Sequence, residues 1–148
     1  MKNLIDGIFL DTYNMSIPYA CGMQDVICAL SPAAVYWISE NMLTIESKLL
    51  GLEDTFRIVF SFGVNSIDCI SASPFQADGD SKELFRRVQK RLVCILGFPT
   101  NIMDFLLNSL NDDYKNHVWK FSTVKITHSF WEHFSFREDI IIHPTITS

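Results

Sequence analysis

The sequence carries none of the short motifs that announce a chemistry. It has no glycine-rich loop to cradle a phosphate, no C-x-x-C pair, no histidine pair at metalloprotease spacing and no G-x-S-x-G elbow to raise a nucleophilic serine. Distant residues can still assemble a triad, so these absences weaken an enzymatic reading without ending it, and the chain reads as a non-enzyme that needs no cofactor. Every apolar run falls short of the ~20 residues that span a bilayer. The opening Met1-Lys2-Asn3-Leu4-Ile5-Asp6-Gly7 interrupts its apolar stretch with an acid and a glycine, which a secretory signal does not do. The cytosol is the expected address. Cysteine is sparse: Cys21, Cys28, Cys69 and Cys94 sit inside apolar runs and read as buried thiols, the alternative being two disulfides in an exported protein.

What the sequence has in quantity is apolar and aromatic material. Hydrophobic residues make up 48 % and charged ones 20 %, with twelve Phe and three Trp among 148 residues. Disorder is excluded on that composition, and a single domain, 1–148, with an aromatic core is expected. The net charge of −5 is unevenly placed. Lys2, Lys48 and Arg57 face eight acids across 1–76, whereas bases and acids balance at nine each across 77–148. Such a field repels nucleic acid and anionic membranes and steers a basic partner towards the acidic half; it also simply keeps a small protein soluble.

The two halves share a pattern. Val26-Ile27-Cys28-Ala29-Leu30-Ser31-Pro32 returns as Leu92-Val93-Cys94-Ile95-Leu96-Gly97-Phe98-Pro99, and each is followed by an aromatic strand start, Val35-Tyr36-Trp37-Ile38 and Val118-Trp119-Lys120-Phe121. This divides the chain into two tandem helix-then-sheet repeats, 1–76 and 77–148, on two short matching segments that duplication and coincidence both explain. The class implied is α+β, an antiparallel sheet with helices packed on one face.

Along the chain, 9–17 reads as one short extended segment, and a helix is expected over 23–30, ended by Pro32. Residues 42–49 and 56–62 alternate as half-buried strands, and Gly63-Val64-Asn65 turns the second into another at 66–72. Pro74 to Asp80 is the expected linker. Asp80 and Glu83 suit a capping box for a helix whose apolar face is Leu84, Phe85, Val88, Leu92, Ile95 and Leu96, stopped by Gly97 and Pro99. A shorter helix is expected near 101–110, and 124–137 reads as one long strand.

Lys82, Arg86, Arg87, Lys90 and Arg91 form a basic face on the helix at 82–96, read as its solvated side rather than a nucleic-acid contact. His128, Glu132 and His133 do not suit zinc, because a spacing of five in a strand sends the two rings to opposite faces. His117 and His143 stand alone. On the long strand, Val124, Ile126, Phe130, Phe134 and Phe136 share the core side with His128 and Glu132. The other side carries Lys125, Thr127, Ser129, Trp131, His133, Ser135 and Arg137. A tryptophan flanked by Arg, His and hydroxyls has the composition of a binding hot spot; a bulge would instead turn Trp131 beneath a helix. The expected partner surface combines Trp131, His133 and Arg137 with the acids Glu46, Glu53 and Asp54.

The arrangement of Ile8, Met23-Gln24-Asp25-Val26, Leu30-Ser31-Pro32 and Tyr36-Trp37 early, with Leu96-Gly97-Phe98-Pro99 and Trp119-Lys120-Phe121 late, resembles small bacterial immunity proteins of polymorphic and contact-dependent toxin systems. It is also similar in layout to the tandem helix-sheet β-lactamase inhibitor proteins. The resemblance implies a cytosolic neutraliser of a cognate protein toxin, such as a basic nuclease domain, acting as a monomer or weak dimer. It transfers no functional residue to a numbered position. A secretion chaperone, also small, acidic and α+β, is the competing class.

Overall fold

The computed structural model describes residues 4–30, 35–74, 81–103, 106, 114–132 and 136–145, with backbone alone at 35–38, 114, 131, 132 and 136. In chain order these form β1 (Gly7–Leu10), β2 (Met15–Pro18), α1 (Met23–Ala29), β3 (Val35–Ile38), β4 (Met42–Lys48), β5 (Thr55–Phe62), β6 (Ile67–Pro74), α2 (Ser81–Leu96), β7 (Tyr114–Lys120), β8 (Val124–Glu132) and β9 (Phe136–Pro144). The β1–β2 hairpin stands apart; the other seven strands make one antiparallel sheet in the order β3-β4-β5-β6-β9-β8-β7. A meander follows each helix, and the two meanders join where β6 pairs with β9. The protein is α+β.

Alternation decides which face of the sheet is buried. In β5, Phe56, Ile58, Phe60 and Phe62 are buried while Arg57 is exposed. Register carries that choice across the sheet: Leu43, Phe60, Ile70, Ile142, Ile126 and Trp119 form one row over six strands, each opposite the next. Ile45, Ile58, Ala72, Ile140, His128 and His117 form the neighbouring row, so an apolar line ends in two histidines. Val26 of α1, Leu84, Val88 and Leu92 of α2 and Ile8, Leu10 and Ile17 of the hairpin join the same cluster. Both helices therefore cover one face, and fully burying each such side chain contributes roughly 1.5–3 kcal/mol.

Helix α2 buries Leu84, Phe85, Val88 and Leu92, with Ile95 and Leu96 partly covered. It stops at Gly97, whose φ of +80° no β-carbon-bearing residue adopts cheaply, and the buried Trp119 indole donates to the Gly97 carbonyl at 2.8 Å. The basic face of α2 splits in two. Arg87 reaches Asp54 at 3.1 Å and Arg91 Nε donates to the Leu50 carbonyl at 2.6 Å, tying the helix to the β4–β5 connection. Arg86 and Lys90 point the other way, towards β7.

Three expectations are corrected. Residues 9–17 are not one segment but the two arms of the hairpin, reversed around Asn14 at φ 50°. Residues 124–137 are not one strand: Glu132 pairs with Phe136, so Arg137 lies on β9, opposite Trp131. No Gly or Pro marks that reversal, and Phe134 and Phe136 keep the alternation of Phe130 in phase across it. Finally, Cys28 and Cys94 are exposed and Cys21 and Cys69 only partly buried, all four as free thiols; an apolar run on an amphipathic helix still has an outer side. Asp80 and residues 75–79 lie outside the described residues. So does most of the helix expected at 101–110, of which Ile102, Met103 and Leu106 are helical.

Candidate functional site

The sheet face opposite the helices carries two parallel rows. One runs Glu46, Arg57, Ser73 over β4, β5 and β6, then Asp139, Ser129 and Asn116 over β9, β8 and β7. The Ser73 hydroxyl donates to Asp139 Oδ1, and Arg137 Nε donates to Asp139 Oδ2 at 2.6 Å, linking the two halves of the row. Beside it runs Thr44, Val59, Ser71, Ile141, Thr127 and Val118, β-branched or hydroxyl-bearing at every position. Apart from Thr44 and Asp139, which are buried, these residues are half-buried or exposed. Seven strands ~4.8 Å apart and about seven residues long at ~3.4 Å each give roughly 700 Å², close to one partner's ~800 Å² share of a standard interface.

On the helical side, α2 and β7 flank a groove of about 360 Å³ lined by Phe85, Arg86, Gln89, Lys90, Val93, Cys94, Phe98, Lys115 and His117. Register places His117 of β7 opposite His128 of β8, and Gln89, one turn beyond Phe85 on α2, sits over both. Its Oε1 accepts from His117 Nδ1 at 2.8 Å and from His128 Nδ1 at 2.7 Å. His128 Nε2 meets Glu138 Oε1 at 2.7 Å. Phe85 stacks on His128 with centroids 4.3 Å apart and covers that fully buried imidazole, while Gln89 and His117 reach the groove.

Electrostatics fixes the protons in that chain. Burial lowers His128 to about 3, and burial with the charges of His128 and Lys115 lowers His117 to about 4. Burial raises Glu138 to about 8, assisted by Asp54 and Asp139 and opposed by Arg87. With Nδ1–H committed to Gln89, neutral His128 offers a lone pair at Nε2, and the protonated Glu138 donates its O–H there. Both partners are neutral at pH 7, the arrangement a site without water favours. Glu138 Oε2 and Gln89 Nε2 remain buried without hydrogen-bond partners.

The residues expected from sequence are distributed over this framework. Glu46 belongs to the polar row; Arg137 and Trp131 are paired with each other one cross-strand pair beyond it, with Tyr114 opposite Trp131, and Arg137 reaches the row through Asp139. Glu53 and Asp54 sit at the rim: Glu53 pairs with Lys48 at 2.5 Å, which lowers its carboxyl, and Asp54 holds Arg87. His133 lies outside the described residues. His117, taken as isolated, is instead bridged to His128. Sequence reasoning passed over Gln89 and Glu138 altogether; the signal was a lone amide beside Phe85 and Val88 on an apolar helical face.

Among the described residues no three metal-binding side chains gather closely enough to hold an ion, and no helix is long and apolar enough to cross a membrane. Comparison with protein-family models, curated proteins and solved structures finds no match to this chain.

Proposed function

We propose that this protein is an immunity-type inhibitor that binds a folded toxin domain through the face of its sheet opposite α1 and α2 and blocks that domain's working surface. The observation that carries the reading is the pair of rows on that face. Charged groups of both signs, already locked to one another, run beside a β-branched strip on a rigid seven-stranded support. Preorganised side chains lose little entropy on association, and alternating charges fix register and reject wrong partners. Glu46 and, at the rim, Glu53 add acid towards one end of the face, which suits a basic nuclease-like cleft, whereas Asp54 is turned to Arg87 of α2. Occlusion needs no cofactor, and neutralisation takes place in the cytosol of the producing cell.

A chaperone would hold an extended client. The groove between α2 and β7 has the size of a small-ligand pocket, roughly 300–1,000 Å³, and accommodates a few side chains rather than a long strand. The test is to express the polypeptide encoded immediately upstream with and without this chain. Growth arrest relieved by co-expression, with a one-to-one complex by light scattering, is the expected result. A harmless upstream product, or a dimer of this chain bound to an unfolded client, refutes the reading.

A further inference from the structure

The groove between α2 and β7 is an exception in an acidic protein. Its charged lining residues are Arg86, Lys90 and Lys115, all cations, with no carboxylate among the lining side chains. Its walls are apolar, Phe85, Val93 and Phe98, and Lys115 Nζ lies over the Phe85 ring at 5.9 Å from the centroid. The floor is polar but neutral, made by His117 and Gln89, and the Gln89 amide nitrogen has no hydrogen-bond partner. A neutral floor and a cationic rim together favour an anion that brings an apolar group with it.

The groove also has an apolar lip. Phe98 is 70 % exposed, Ile102 48 % and Met103 68 %. The strap between them is pinned to the edge of β7: Thr100 N–H donates to the Val118 carbonyl at 2.7 Å, Asn101 Oδ1 accepts from Val118 N–H at 2.9 Å, and Asn101 Nδ2 donates to the Asn116 carbonyl at 3.2 Å. These bonds hold the strap along the edge of β7, with Phe98 in the groove wall beside Lys115 and His117 and Ile102 and Met103 exposed just beyond it in the chain. A small molecule filling 360 Å³ leaves that lip uncovered. A lipid surface would meet a concavity where it needs a flat or convex face, on a chain of net charge −5. A helical peptide segment matches both parts, with anchors for the groove and an apolar side for the lip.

We propose that the groove between α2 and β7 is a second docking site, for an acidic amphipathic peptide segment of a partner protein. The segment's apolar anchor seats against Phe85, Val93 and Phe98, and its carboxylates meet Arg86, Lys90 and Lys115. The site lies on the opposite side of the sheet from the polar row and stands whether or not that row binds a toxin.

The two exposed cysteines supply the test. Cys94 lines the groove, whereas Cys28 is on α1 and outside it. The probe is a peptide of about twelve residues with Phe and Leu at i, i+3, i+4 and i+7 and Glu at the flanking positions; its control carries Lys for Glu. Alkylation by iodoacetamide is followed at each cysteine by peptide mass spectrometry. The acidic probe is expected to slow Cys94 about tenfold at saturation with Cys28 unchanged. The double variant Lys90→Glu, Lys115→Glu, both on the surface, is expected to keep the parent's circular dichroism and bind the probe about tenfold more weakly, a loss of about 1.4 kcal/mol. Absence of protection, equal protection by the Lys control, protection of both cysteines, or stronger protection by phosphatidylserine vesicles than by the peptide would each overturn the proposal.

Discussion

The buried groups His117, His128 and Glu138 are expected to give stability a maximum near pH 6.5. Glu138 titrates near 8 when folded against 4.5 as a free side chain, and His117 and His128 near 4 and 3 against 6.5. A raised carboxyl contributes stability that is full below 4.5 and lost as pH rises through 8. The two depressed imidazoles contribute stability that is full above 6.5 and lost as pH falls towards 4 and 3. Between pH 4.5 and 6.5 the unfolded chain binds two protons at these groups and the folded chain one, so stability rises with pH by about 1.4 kcal/mol per unit. Between 6.5 and 8 the unfolded chain binds none and the folded chain still one, so stability falls at the same slope, roughly 2 kcal/mol over the window. Urea unfolding followed by the fluorescence of buried Trp119 at pH 5.5, 6.5 and 8 measures both limbs. In Glu138→Gln the amide N–H donates to His128 Nε2 in place of the acid. The alkaline fall should vanish, and the acid limb should steepen to about 2.7 kcal/mol per unit, two protons instead of one. A parent whose stability holds or rises to pH 8 would mean that the folded pair keeps no proton above pH 6.5, and a variant that retains the parental fall would mean that Glu138 is not the group holding it.

Phe85→Ala removes a ring that is 4 % exposed, stacks on His128 and lies tilted against Phe130; a loss of about 3–5 kcal/mol is expected by urea titration, together with entry of water to His128. Trp119→Phe deletes the donor to Gly97 and should cost about 1–3 kcal/mol, with fraying at the end of α2 visible as faster amide exchange at Ile95 and Leu96. Gly97→Ala should lower stability by about 1 kcal/mol through φ alone, since its added β-carbon meets nothing within 4 Å. For partner binding, Arg137→Glu breaks the clasp on Asp139 in the polar row and should weaken toxin capture by at least about tenfold, and Trp131→Ala similarly. Glu53→Lys, an exposed change at the rim, should chiefly slow association. Calorimetry showing all three at parental affinity removes the face opposite α1 and α2 from the interface.

Much of the secondary structure is legible in the sequence because period and burial agree there. The alternation in β5 and the 3.6-residue spacing of Leu84, Val88 and Leu92 each bury a single side, β4 departs from it only at the buried Thr44, and Gly97 stops α2 where the apolar face ends. The reversal between β8 and β9 is not legible, because alternation continues in phase through it and no turn residue marks it. The partner surface is legible only in part: Glu46 and Arg137 stand 91 residues apart in the sequence, and it is the clasp of Ser73 and Arg137 on Asp139 that links Arg137 to the row of Glu46.

The amino-acid order alone determined an aromatic α+β domain, its acidic first half and which side of each strand is apolar, since these depend on neighbours within a few residues. Only the tertiary structure decided which residues do something together. Strand register set His117 opposite His128, α2 laid Gln89 across both, and β9 delivered Glu138 to the end of the chain. The same packing turned Arg87 and Arg91 inward as ties and left Arg86 and Lys90 facing a groove. Proton position and charge complementarity depend on distances of about 3 Å and on the exclusion of water. Neither exists until segments far apart in sequence have closed on one another.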